Sequence, residues 1–369
     1  MEIHIIFEKI ITYCYNKKYS DIHISTWSYP LIRNKSGYIE TLTQLSFWSW
    51  NIYKLSALTC RDVENIIHYI LSEDKYLDYI KNLEIDSSYS LDKDKRYRVN
   101  CFTNIRWKAI ALRQIPNKIP SLEDLWLGQT IREICSKQKW LILVTWPTWS
   151  GKSTNLAAMI NYINMRYRKH IISIEDPIEF IYNNQLSLIN QREVGIHTKS
   201  FWQAIKSCLR EDPDVIFIWE MRDPETIRAA VTLAETWHLV FSTLHTNDTV
   251  QTIDRIIDIF PSGQQEQIRM QLALSLIWII AQRLIPRSDI EWRIPAREIL
   301  LNNDAVRNLI ITGRTHQLYS VIEIEKRSWM ILMDNYLVLL YKKWIISEES
   351  LKSYARDKDN ISNLLGKYF

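Results

Sequence analysis

Between Trp140 and Leu244 the chain alternates short apolar runs with longer segments of helical spacing, and no other feature of the sequence narrows its fold as much. Residues 141–145, 171–175, 215–218 and 238–244 predict strands, and residues 152–168, 201–209 and 224–235 predict helices. Strands this apolar cannot leave a face in water, so alternation with helices predicts an α/β domain whose parallel sheet is covered on both sides. Upstream, the runs 21–25, 97–102 and 108–114, with a helical stretch near 61–79, predict a small α+β domain. Pro116 and Pro120 interrupt both patterns, and Ser121 with Asp124 three residues on is a helix-start signal. The expected organisation is residues 1–118 for the first domain, 119–128 as linker, 129–290 as the core and 291–369 as a helical C-terminal region, the chain turning mainly helical after about Thr252.

Composition excludes more than it selects. With 46 Lys and Arg against 42 Asp and Glu, the net charge of +4 is spread along the chain, which argues against a nucleic-acid partner. Apolar runs such as 276–281 and 337–341 fall far short of a membrane span, so no direct membrane insertion is expected. The first residues lack the pattern of a secretory signal, and a cytoplasmic protein is expected. Five scattered cysteines and eight histidines form neither a CxxC nor an HExxH spacing, so neither disulfides nor zinc are expected.

The strand at 141–145 and the helix from 152 enclose Trp146-Pro147-Thr148-Trp149-Ser150-Gly151-Lys152-Ser153-Thr154. The phosphate-loop pattern GxxxxGK[ST] is met at its last three positions, with Trp146 where the first glycine belongs. In such a loop successive amides and the helix N-terminus surround the phosphates, the lysine neutralises charge and the following hydroxyl holds Mg²⁺. Indole is incompatible with a backbone that must approach phosphate closely.

With Trp146 and Trp149 read as glycine, the segment resembles the phosphate loop of the type II/IV secretion ATPase superfamily. The resemblance continues through IISIEDPIEF (171–180), similar to that family's Asp box, LREDPDVIFIWEMRD (209–223), similar to its Walker B segment, and HLVFSTLHT (238–246), similar to its His box. SDIHIS (20–25) and YRVNCF (97–102) resemble its N-terminal domain, and AVRNLI (305–310) resembles a motif of the pilus retraction motors.

The resemblance implies a PAS-like α+β domain, a RecA-like P-loop ATPase domain and a helical tail. It implies ATP and Mg²⁺ as cofactors and residues 146–154 as the nucleotide loop. Glu220 and Glu179 would be the catalytic carboxylates, with Ser153, Glu220 and Glu175 toward the metal and Asp176 close by. His238 and His245 would sense nucleotide state, and Arg98 and Arg113 would reach the γ-phosphate as the two domains close. It further implies a homo-hexamer at the inner face of the cytoplasmic membrane, working on a pilus through an inner-membrane platform protein. The alternatives are an extension or secretion motor of the same superfamily, against which the AVRNLI segment and the lack of a four-cysteine motif count, a catalytically inactive ring or regulatory subunit, and a DNA translocase, which the near-neutral charge disfavours.

The composition carries one anomaly. There are 7 glycines and 15 tryptophans, together 22, or roughly 6% of the chain, close to ordinary glycine usage. Trp107, Trp126, Trp140, Trp146, Trp149, Trp219, Trp237, Trp278, Trp329 and Trp344 all fall where the family has glycine. The expectation is a gene that uses UGA for glycine, translated with a table that reads UGA as tryptophan.

Overall fold

The computed structural model describes residues 2–34, 38–46, 52–92, 95–115, 118–125, 127–145, 152–290, 293–325, 329–358, 361 and 365. Residues 146–151 of the phosphate-loop segment, the Lys152 side chain and Trp126 lie outside the described residues. The chain divides into two compact units, Met1–Lys118 and Ile119–Phe369.

The first unit runs α1 (Ile3–Lys17), β1 (Asp21–Ser25), β2 (Leu31–Arg33), β3 (Ile39–Thr41), β4 (Gln44–Ser46), β5 (Ile52–Lys54), α2 (Cys60–Ile70), α3 (Glu73–Asn82), β6 (Glu84–Ser90), β7 (Arg96–Asn104) and β8 (Trp107–Ile115). Six strands form an antiparallel sheet in the order β3-β2-β1-β8-β7-β6. Alternation decides its faces: Ile22, Ile24, Val99, Cys101, Ile110 and Leu112 join the core with helices α1 and α2, leaving Asp21, Arg98 and Arg113 on the polar face. The helical stretch expected near 61–79 is two helices, the first closed by a capping box in which Thr59 and Asp62 bond each other's amides.

The second unit runs α4 (Gln129–Cys135), β9 (Trp140–Thr145), α5 (Lys152–Arg166), β10 (His170–Glu175), β11 (Leu188–Glu193), α6 (Phe201–Cys208), β12 (Val215–Ile218), α7 (Pro224–Glu235), β13 (Leu239–Leu244), α8 (Thr249–Asp258), α9 (Ser262–Ser275), β14 (Leu276–Pro286), β15 (Arg293–Leu301), α10 (Asp304–Ile311), α11 (Leu318–Ile324), α12 (Met333–Lys342) and α13 (Glu348–Tyr354). Its sheet has the order β11-β10-β12-β13-β9-β14-β15, parallel except for β15. Leu141 and Leu143 pack with helices α6 to α9, and Ile142 and Val144 with α4 and α5, so both faces are dry.

Three expectations are corrected here. Ser121 and Asp124 exchange reciprocal bonds of 3.0 and 3.1 Å, but they close a single turn, and the helix begins only at Gln129. The stretch after Thr252 is not mainly helical: residues 276–301 form the β14–β15 hairpin, which extends the core sheet beyond residue 290. The physical reason is that a run such as Leu276–Pro286 is apolar on both sides, and such a run finds cover as a strand inside a sheet as readily as in a buried helix. On α10, Val306, Leu309 and Ile310 are buried, while Ala305, expected in the same stripe, is exposed.

Among the described residues, nine non-glycine residues have positive φ, and six of them are tryptophans: Trp27 (62°), Trp107 (91°), Trp140 (115°), Trp237 (70°), Trp329 (68°) and Trp344 (59°). Trp344 sits just past α12, where its amide bonds the Tyr341 carbonyl at 2.8 Å and the Ile345 amide bonds the Leu340 carbonyl at 3.0 Å. That is the helix-ending geometry in which glycine is the usual residue. Trp237 holds the matching position after α7, with the His238 amide reaching the Leu233 carbonyl. Trp219 and Trp278 differ, being buried in strand-paired backbone.

Candidate functional site

In a parallel sheet the carboxyl ends of the strands share one edge, and ligands bind there. β9, which lies between β13 and β14, ends at this edge with Thr145, and α5 begins at Lys152. Thr145, the last residue of β9, is fully buried, and the Thr252 hydroxyl reaches it at 3.4 Å. Thr252 is also 2.7 Å from Thr246 Oγ1, so the entrance to the loop is tied to the turn after β13.

Glu220 lies two residues beyond β12 on the same edge, only 8% exposed. Its Oε2 pairs with Arg222 at 2.8 Å and its Oε1 with His245 Nε2 at 3.4 Å. The backbone there continues the sheet: the Trp219 amide donates to the Ile174 carbonyl at 2.9 Å and the Met221 amide to the Thr243 carbonyl at 3.1 Å. Glu220, Arg222, His245 and Arg255 line a cavity of about 170 Å³. Arg222, Arg255 and Thr252 were not singled out in the sequence; Arg222 stands in the quoted Walker B string, but nothing in spacing marks the other two.

Glu175 ends β10, one strand over. Its Oε1 accepts from Ser173 Oγ at 2.6 Å and Gln191 Nε2 at 3.2 Å. Burial raises its carboxyl to about 7, with the neighbouring Glu179 adding to the rise while the Ser173 and Gln191 bonds oppose it. Glu179 is half-buried after the cis Asp176-Pro177 bond.

The two histidines are not brought together. His245 follows β13 at the carboxyl edge, whereas His238 precedes that strand, on the order of 20 Å away. There His238 Nδ1 lies 3.0 Å from the Leu233 carbonyl and 3.2 Å from Thr236 Oγ1, at the end of α7.

In the first unit Arg98 and Arg113 are direct partners across β7 and β8. Like charges opposite each other repel, and the counter-charge is Asp21, paired with Arg113 in the β1–β8 register. Arg113 Nε is 2.8 Å from Asp21 Oδ1, and Arg33 Nε is 3.6 Å from Oδ2.

For Mg²⁺, the partly exposed Ser153 opens α5 and the Glu220 carboxylate faces a cavity. No group of three acidic, His or Cys residues forms a cage among the described residues. That donor set fits an ion held mostly by phosphates and waters, the usual habit of Mg²⁺.

Residues 93–336 match the family model for "Type II/IV secretion system protein". The chain belongs to this family. It is 44% identical over 308 residues to a twitching motility protein of Neisseria gonorrhoeae, covering 84% of this chain and 82% of that one. It is 39% identical over 341 residues to the type IV pilus retraction ATPase PilT of Pseudomonas aeruginosa, covering 92% and 95%. A crystal structure of the pilus retraction motor PilT with bound ADP superposes with a TM-score of 0.85 at 40% identity, covering 96% of this chain and 98% of the other. Among the described residues no helix is long and apolar enough to cross a membrane.

Proposed function

We propose that this chain is an ATP-hydrolysing motor that powers retraction of a type IV pilus. What carries the reading is likeness over nearly the full length of both chains to a pilus retraction ATPase, joined to a Glu220–His245 pair at the carboxyl edge of the sheet. In this reading the amides of residues 146–151 and the α5 N-terminus receive the phosphates, Lys152 neutralises their charge, and Ser153 with Glu220 holds Mg²⁺. The bound metal supplies charge neutralisation on the phosphates. Glu220 orients the attacking water, and Glu179 is the second carboxylate, with Glu175 behind it. His245 shares the Glu220 carboxylate and so can report nucleotide state. Arg98 and Arg113 supply cationic charge to the terminal phosphate. The working unit is a ring of six, at the inner face of the cytoplasmic membrane on a platform protein.

The reading also holds that the tryptophans at glycine positions are glycine in the native protein. A left-handed backbone costs a non-glycine residue about 1–2 kcal/mol. Six such residues would cost about 6–12 kcal/mol, as much as a typical domain's whole stability of about 5–15 kcal/mol. Trp27 joins the set on its φ of 62°. The codons decide the point: UGA at 146, 149 and 219 supports it and UGG refutes it, and the mass of the native loop peptide is an independent check.

The functional test is phosphate release by the protein carrying glycine at these positions, together with twitching in cells that lack the gene. Hydrolysis, with motility restored by the intact protein and not by Glu220→Gln, is the expected result. Absence of ATP hydrolysis would sink the motor and leave an inactive ring subunit.

A further inference from the structure

Asn155 lies in the first turn of α5, the helix that follows the phosphate-loop segment, and is buried. Its Nδ2 donates to Gln282 Oε1 on β14 at 2.8 Å. The same oxygen accepts from Arg297 Nε on β15 at 2.9 Å. Arg297 Nη2 donates to the Leu125 carbonyl at 2.6 Å, near the start of the second unit. The Tyr336 side chain bonds the same guanidinium. Gln282 and Arg297 are 2% and 3% exposed, and a cavity of about 240 Å³ lined by Leu125, Thr154, Asn155 and Gln282 opens beside them.

Burying a guanidinium against neutral acceptors such as these gains little stability over an apolar side chain of similar volume. What the planar fork does supply is fixed geometry, since its donors hold two acceptors at a set separation. Here those acceptors are the Gln282 amide, which carries the first turn of α5, and the carbonyl of Leu125.

We propose that Arg297 is a positioning residue: through Gln282 and Asn155 it sets the first turn of the phosphate-loop helix, and through Leu125 it locks that turn to the opening segment of the second unit. The inference rests on the nucleotide reading above. Lys152 and Ser153 lie within one turn of Asn155, where the helix N-terminus receives the phosphates, so loosening that turn weakens nucleotide binding. The relay thereby makes nucleotide affinity depend on the opening segment of the second unit.

The experiment compares the full-length protein with Arg297→Met, Arg297→Lys and Asn155→Ala, measuring KM and kcat for ATP and amide hydrogen exchange without nucleotide. In all three, KM rises about tenfold or more with kcat changed less than about threefold, and exchange accelerates together at residues 153–156 and 121–125. The lysine variant behaves like the methionine one, because it keeps the charge without the fork. Unchanged KM and unchanged exchange in those two segments, or a lysine variant equal to the intact protein, overturns the proposal. Should Arg297→Met fail to fold, Asn155→Ala decides, alanine being the residue a helix accepts best. An intact protein that does not bind ATP refutes the motor reading instead, and the exchange measurements still judge the relay.

Discussion

The polar face of the N-terminal sheet and the carboxyl edge of the ATPase sheet are electrostatic opposites. On the first, Arg113 rests on a buried carboxylate, Asp21, with Arg98 opposite it. On the second, a buried carboxylate, Glu220, rests between the Arg222 guanidinium and the His245 imidazole. One strand from Glu220 the pattern breaks, because Glu175 is held by the neutral donors Ser173 and Gln191. Position on a sheet edge therefore does not set a carboxyl's role; its partners do, and Glu175 is pushed up to about 7 by burial for want of a cation.

The largest effect should come from the cationic face. Arg113→Ala should lower turnover by about 10³–10⁵-fold with nucleotide binding nearly intact; turnover like that of the intact protein would remove the arginine from the chemistry. Glu220→Gln keeps the shape of the site and loses the charge, and should cost about 10²–10⁴-fold in steady-state phosphate release. A loss below tenfold would mean that Glu175 or Glu179 does that work. Asp21→Asn removes the counter-charge of Arg113, a charged hydrogen bond of about 1.5–3 kcal/mol. It should lower turnover by about tenfold or more without changing ADP affinity, and an equal loss of both would make Asp21 purely structural.

Glu175→Gln should change turnover least and show itself in stability against pH. Its folded carboxyl lies above the ordinary value of 4.5, so the protonated form is the one the fold favours. That contribution is complete below about pH 4.5 and is lost as pH rises through about 7. Denaturant midpoints should show the variant gaining on the intact protein by as much as about 3 kcal/mol between pH 5 and 8; a pH-independent difference would contradict the burial of an ionisable group there.

Much of the ATPase sheet was legible because its signals are local. β12 and α7 fall at the bounds expected for them, the helix opened by Asp223 as N-cap and Pro224 in its first turn. The β14–β15 hairpin was not legible, since an apolar run does not declare its period, and neither was α1, whose buried residues Phe7, Ile10, Ile11 and Cys14 occur among scattered polar ones. At the site, the resemblance named Glu220, His245 and His238, but spacing along a strand does not say which end meets the ligand, and only His245 lies at the carboxyl edge.

By itself the sequence determined the alternation of strand and helix and the order of the motifs, both of which rest on neighbours a few residues apart. Only the tertiary structure decided which polar groups meet: Asp21 with Arg113, Glu220 with His245, Arg297 with Gln282 and Leu125, and Gln282 with Asn155. Those partners are held together by sheet register and helix packing, and the strength of an ion pair or a buried hydrogen bond depends on separation in space and on exclusion of water, neither of which distance along a chain encodes.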